Sequence, residues 1–325
     1  MNTCLLRLSS SSAFRISHRG LSVESESLKN LRIVKKPSDD HIQQFEKLVG
    51  GFNDIRLLKE TMNDRYQLYL LCDKNDRVIS GTHSILYKSL NPSLPDFRTF
   101  GLSYQPPDSF HLLPHLMSQM VSDLDAVNMN SGGCVESKTS AVWRKILHTK
   151  VRGATYYVSD YSRDEVFDPE LEFEGLVVKK FSEVPPEDVT KYDNSIFPYH
   201  RNQFLLSKFS RGLGRVVYDS TGKVTGIGLV SMESGLLEIG PMYADNKTAA
   251  QAMFQCILKE LNGDFERIRV RCTDKFEDSA TWIRPFLSRR HEMTPFAHLK
   301  FNRVIPDGIQ FGKVFVDSNP TNSPC

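Results

Sequence analysis

The sequence has no apolar run near the roughly 20 residues that a bilayer-spanning helix needs, so no membrane span is expected. It also lacks any C-x-x-C pair: Cys4, Cys72, Cys134, Cys256, Cys272 and Cys325 are scattered. That spacing argues against a zinc site and for a reducing compartment. No H-E-x-x-H or other ligand spacing occurs among the nine histidines, and no metal is expected. An excess of one charge is missing too. With 41 Lys and Arg against 39 Asp and Glu, the net charge of +2 gives no ground for a nucleic-acid partner. The basic cluster Arg289-Arg290-His291 reads as a helix end whose side chains complement the dipole. What is present is globular: 40% hydrophobic and 25% charged residues over 325 positions, enough for two ordinary domains.

The first 23 residues contain no acid at all but carry Arg7, Arg15, His18, Arg19 and six serines. This is the composition of a mitochondrial presequence, taken as residues 1–26. A secretory signal fits worse, because the apolar Cys4-Leu5-Leu6 is broken at once by Arg7 and the serines at 9–12. The alternative is a cytoplasmic protein with a disordered tail.

From residue 31 the pattern alternates strands and helices. Strands are predicted at 31–34, 66–72, 77–87, 97–104, 134–139 and 154–159. Ser38 caps a helix carrying Ile42, Phe45, Leu48 and Val49 on one face, and Leu112, Leu116, Met120 and Leu124 form the stripe of a second. Pro114 is tolerated there only in the first turn. A short helix is expected over 141–148. Residues 164–174 hold six acids among eleven and read as the linker, taken as 164–175, between lobes at 27–163 and 176–325.

The second lobe opens with a strand at 176–181 and a helix after Pro185-Pro186. A hairpin follows, 214–219 and 223–230 around Ser220-Thr221-Gly222. Next comes Ile239-Gly240-Pro241-Met242-Tyr243-Ala244-Asp245-Asn246, an apolar strand turning within two residues into a helix from Lys247. A helix start offers unpaired N–H groups and a positive dipole end to an anion, and the small Ala249 and Ala250 allow close approach. A strand at 267–272, a helix at 278–290 and two further strands complete the chain.

The order β-β-β-α-β-α-β over roughly residues 192–301, with Gly226-Ile227-Gly228 and the 239–250 stretch, resembles the GNAT superfamily of acyl-CoA N-acyltransferases. Within it, the stretch is similar to the C-terminal domain of YitH-type acetyltransferases and to a related nematode-rich family of unknown function. The first lobe has a similar element order, so the expected fold class is α/β (α+β): two tandem GNAT-like lobes, each a mixed, mostly antiparallel sheet flanked by helices.

The resemblance implies acetyl-CoA or another acyl-CoA as donor and a small-molecule amine as acceptor. In the family's phosphate loop, Q/R-x-x-G-x-G/A, the matching residues are 245–250: Ala250 fits, Thr248 replaces a glycine and Asp245 replaces the Gln or Arg. Pyrophosphate is then expected on the N–H groups of Thr248, Ala249 and Ala250 with Lys247 supplying charge, and the pantetheine arm on the strand edge at Met242, Tyr243 and Ala244. The first lobe offers Gln105-Pro106-Pro107-Asp108-Ser109-Phe110, of which only Gln105 fits, and that lobe is expected to bind acyl-CoA poorly. Glu238, the one carboxylate in an apolar strand, is the candidate general base. Tyr199, His200 and Arg201 are candidates to contact the amine. No tyrosine stands in the expected last helix to protonate the leaving thiolate; Phe286 is near that place. A non-catalytic acyl-CoA-binding or structural protein on a degenerate tandem fold is the alternative.

Overall fold

The computed structural model describes residues 30–51, 53–106, 112–136, 140–275, 278, 281–288 and 293–317. Its strands are β1 Arg32–Val34, β2 Tyr66–Cys72, β3 Val78–Tyr87, β4 Phe97–Tyr104, β5 Asn130–Glu136, β6 Val151–Ser162, β7 Val177–Lys180, β8 Leu213–Tyr218, β9 Val224–Glu233, β10 Leu236–Ala244, β11 Arg267–Thr273, β12 Thr294–Phe301 and β13 Val314–Val316. The α-helices among the described residues are α1 Asp39–Val49, α2 Ile55–Met62, α3 Leu112–Asp123, α4 Ser140–Leu147, α5 Pro186–Ile196, α6 Asn202–Phe209 and α7 Lys247–Leu261. None is long and apolar enough to cross a membrane.

Among the described residues all thirteen strands join in one mixed sheet, in the order β1-β2-β3-β4-β5-β12-β6-β11-β10-β9-β8-β7, with β13 on β10. The order contains an exchange. β6 ends the run of strands of the first half but pairs with β11, while β12, from the second half, pairs with β5 and β6. The two lobes thus share one continuous sheet, each completed by a strand from the other's stretch of sequence.

Alternation along the strands sorts side chains into two faces. One face, with Leu68, Leu70, Tyr156, Leu299 and Ile227, packs under residues of α1, α2, α5 and α6 as a single core spanning both halves. The opposite face is divided: Tyr69, Leu71 and Phe100 pack on α3 and α4, while Leu237, Ile239, Ile268 and Val270 pack on α7. Local capping follows the sequence. Ser38 caps α1, accepting from the His41 amide, and Asn246 caps α7, accepting from Ala249 N at 2.9 Å.

The largest departure from the predicted elements is at 278–290. Its described residues form turns and a 3-10 segment, Arg284–Phe286, rather than a long helix. Pro285 has no N–H to donate and crowds the preceding turn, which limits helix there. The acidic stretch after Ser162 is held onto the second half: Leu171 exchanges backbone hydrogen bonds with the Gln255 side chain of α7.

Candidate active site

β10 and β11 run parallel but pair only over Leu236, Leu237 and Glu238, opposite Arg267, Ile268 and Arg269. Beyond Glu238 the two strands part. On its other side β10 stays paired with β9, with a bulge between Ile239 and Met242. The extra residue shifts the alternation, so that Glu238 and Tyr243 face the same side although an odd number of positions apart. Both point to the α5–α6 face, while Met242 and Ala244 pack towards α7. A strand leading straight into a helix start is therefore present where the sequence pattern places it, and the structure adds the splay beside it.

At the α7 start, Ala249 N is taken by the Asn246 side chain and Ala250 N lies 3.4 Å from the Asn246 carbonyl. The amides of Lys247 and Thr248 come before the first intrahelical acceptor. Thr248 is exposed, but Ala249 and Ala250 are fully buried against the sheet. The two alanines thus serve close packing of α7 on the sheet, and their amides, expected to hold an anion, are already taken by Asn246. Lys247 Nζ lies 3.9 Å from Asp278 Oδ1 and 3.5 Å from Thr281 Oγ1. Asp245, the residue most at odds with an anion site, is neutralised: Lys313 Nζ is 2.8 Å from its Oδ1, the Tyr192 hydroxyl donates to the same atom at 3.0 Å, and Lys223 is 3.9 Å from Oδ2.

Glu238 is buried, 5% exposed, and ion-pairs with Arg271 of β11. Burial pushes the Arg271 guanidinium down, opposed first by the nearby Asp317 carboxylate and then by Asp160. On the same face lies a cleft of about 490 Å³ lined by Ser159, Asp160, Arg269, Arg271, Thr294 and Phe296. Arg269 grips Asp160 with two bonds of 2.7 Å, and that hydrogen bonding holds the Asp160 carboxyl below the usual range. The cleft thus places a carboxylate, an arginine pair and an aromatic edge beside the point where the strands part. Sequence reasoning missed Arg269 and Arg271. The signal was the alternation Arg267-Ile268-Arg269-Val270-Arg271, which gives β11 one charged face.

The three acceptor candidates are not assembled around this cleft. Arg201 is 4% exposed and forks onto Asp193, with Nη2 2.6 Å from Oδ1 and Nε 3.1 Å from Oδ2. It stacks on Phe197, 3.9 Å from the ring centroid, and donates to the Tyr243 hydroxyl at 3.0 Å. Tyr199 is fully buried among Phe97 and Phe197, and its hydroxyl donates to the Asp307 carbonyl at 3.1 Å. Burial pushes its phenol up to about 12. His200 is exposed, its backbone N bonded to Lys88 O at 2.8 Å. Of the three, only Arg201 reaches β10, and it does so through Tyr243. Phe286 is buried against Phe254, so that position offers no proton donor.

The strand edge that would receive a pantetheine arm is occupied by the chain itself. β13 enters the splay antiparallel to β10, Met242 opposite Val316 and Tyr243 opposite Val314. Asp317 N donates to Arg271 O at 3.1 Å on the other wall. Val314, Phe315, Val316 and Asp317 are all fully buried.

Elsewhere, ligand atoms of His41, Cys72 and Asp76 lie within 4.8 Å of one another. The chemistry of this group opposes a cation: Asp76 already binds Arg32 and His41, and burial pushes the Cys72 thiol up to about 11. In the first lobe, β4 and β5 part in the same way after Thr99 and Gly132. Residues 107–110 of its expected loop lie outside the described residues, as do the presequence candidate and Arg289, Arg290 and His291.

Comparison with known proteins agrees with this geometry. A family profile described as "Protein of unknown function (DUF1248)" matches residues 28–196, and one described as "Acetyltransferase (GNAT) domain" matches residues 189–284. No curated protein matches in sequence. A putative acetyltransferase from Pyrococcus horikoshii has a similar structure, with a TM-score of 0.65 at 15% identity, covering 91% of this chain and 96% of that one. A tandem GNAT protein from the clavulanic acid biosynthesis pathway gives 0.53 at 11% identity, covering 83% and 97%. A probable N-acyltransferase from Enterococcus faecalis gives 0.52 at 13%, covering 83% and 72%. The fold is therefore a tandem GNAT fold.

Proposed function

The chain belongs to the family described as proteins of unknown function (DUF1248), its second half carries a GNAT acetyltransferase domain, and on that premise we propose an acyl-CoA-dependent N-acyltransferase acting on a small amine. The observation that carries the reading is the splay of β10 from β11 after Glu238, opening beside the α7 start. Pyrophosphate rests on the amides at Lys247 and Thr248 with the Lys247 ammonium alongside. The pantetheine arm lies along Met242, Tyr243 and Ala244, completing the sheet as an added strand would. The amine enters the cleft beside Arg271, attacks the thioester carbonyl directly and loses its proton to Glu238; the tetrahedral adduct then collapses with cleavage of the C–S bond, giving the amide and a CoA thiolate that takes its proton from water. Acetyl-CoA is the donor we favour.

A second reading is supported by two observations: β13 in the splay, and the Arg271 ion pair on Glu238. It is a non-catalytic acyl-CoA-binding or structural protein. Calorimetry with acetyl-CoA and longer acyl-CoAs, followed by thiol release with a panel of amines, separates the two. Binding with amine-dependent release of CoA supports the enzyme; binding without release supports the rival. A complete absence of binding removes acyl-CoA from both. For the address we propose the mitochondrial matrix, on the acid-free, Arg- and Ser-rich start; protein recovered from cells with Met1 intact would count against import.

A further inference from the structure

We propose that β13 is a built-in competitor for the donor: the segment Val314–Val316 holds the β10–β11 splay closed and must leave when acyl-CoA binds. The inference rests on the reading of β10 and α7 as the acyl-CoA site. It follows from a coincidence of edges. The backbone groups of Met242 and Tyr243 that face away from β9 are those an extended ligand arm would use, and in this structure they face Val316 and Val314. One strand edge serves one partner at a time, because each N–H and C=O in the ladder pairs across a single spacing.

The segment is anchored along its whole length. At the helix end, Lys313 bonds Asp245 next to the α7 cap. In the middle, Phe315 and Val316 pack into the α7 side of the core and Val314 into the other. At the far end, Asp317 bonds the backbone of Arg271 and lends its carboxylate to the neighbourhood of that guanidinium, whose side chain is also the partner of Glu238. Departure of β13 therefore does more than clear a channel. It takes Asp317 away from Arg271, while Lys313, which precedes the strand, keeps Asp245 neutralised beside the α7 start.

β13 is suited to leave. It is three residues long, with two register pairs to β10 and a bulge between them. Short, weakly laddered elements open locally at lower free energy than the core strands around them. A ligand arm that re-covers the β10 edge restores the lost pairing, and it must also fill the space that the fully buried Val314, Phe315 and Val316 side chains leave.

The test uses the full chain and acetyl-CoA. Amide hydrogen exchange of residues 314–317 is followed with and without saturating acetyl-CoA, beside calorimetry on wild type and on a Val314→Ser/Val316→Ser variant that loosens the strand without adding charge. The expected result is loss of protection at 314–317 on binding and at least tenfold tighter binding by the variant. Binding by the variant alone supports the proposal equally. Binding by wild type with residues 314–317 still protected overturns it while leaving the acyl-CoA site intact. If neither protein binds acetyl-CoA or a longer acyl-CoA, the proposal falls together with the site it rests on.

Discussion

Arg271 stands two residues past the last β10–β11 pair and closes an ion pair with Glu238, bridging the mouth of the splay. Both side chains of the pair are largely buried, so removing either one leaves the other charge without its partner. Under the proposed function, Glu238 takes the amine proton only as substrate binding rearranges that pair.

Replacing Glu238 by Gln keeps its shape and removes its proton affinity. Acyl-CoA affinity should persist while turnover on an identified amine falls by roughly 10²–10⁴-fold. Raising the pH should partly rescue the variant, since solvent then deprotonates the amine. Wild-type turnover at every pH would make Glu238 a structural partner of Arg271 and nothing more.

Thr248 separates ligand binding from stability at the helix start. It is exposed in the first turn of α7, where a carboxylate favours the dipole, by about 0.3–1 kcal/mol. Thr248→Glu should therefore fold at least as well as wild type but repel pyrophosphate, weakening acyl-CoA at least tenfold. Ala249 is a poorer site for the same test, because its full burial makes Ala249→Asp a core defect. Unchanged acyl-CoA affinity in Thr248→Glu would move the pyrophosphate elsewhere.

Much of the local structure was legible in the sequence. The strand Phe97–Tyr104 and the helix from Lys247 to Leu261 follow from alternation and from helical spacing over a long enough window. Glu238 stood out for a similar reason, as a lone charge in an apolar strand. Partner choice across strands is different, because nothing in residues 151–162 says that β6 will lie against β11, nor in residues 294–301 that β12 will lie between β5 and β6. The same non-locality hid Arg271 from Glu238 and β13 from Met242. Arg201 and Tyr199 were candidates because the resemblance to GNAT enzymes places this segment beside the acceptor amine; their burial is set by Asp193 and by an aromatic cluster brought together from both halves.

Asp193 and Arg201 give the sharpest stability prediction. Both are buried, and removing one leaves the other as an uncompensated charge. Asp193→Ala should cost about 3–5 kcal/mol in urea unfolding. A loss under about 1 kcal/mol would mean that Arg201 reaches water or another acceptor on its own.

The Asp160–Arg269 pair predicts a pH dependence. Asp160 has its carboxyl depressed, first by the Arg269 hydrogen bond, so its contribution is present in full above about pH 4 and is lost as pH falls through the lower folded value. The pair is over a third exposed on the Asp160 side, so solvent screening limits it to about 0.5 kcal/mol. Asp160→Asn should be less stable than wild type at pH 7, with the gap closing in acid. A gap that is constant down to pH 2 would assign the loss to packing instead.

The exchange of β6 and β12 bears on how the chain matures. As it emerges from the ribosome, β5 has no neighbour on its inner edge until residues 294–301 have been made, because β12 is the strand that lies there. The first half must wait, with a gap in its sheet, until the chain has been made past residue 301. Cutting the chain in the acidic stretch after residue 163 would leave one fragment lacking β12 and the other lacking β6. The halves consequently become native together, and a protease that nicks the connection should release no separately folded piece.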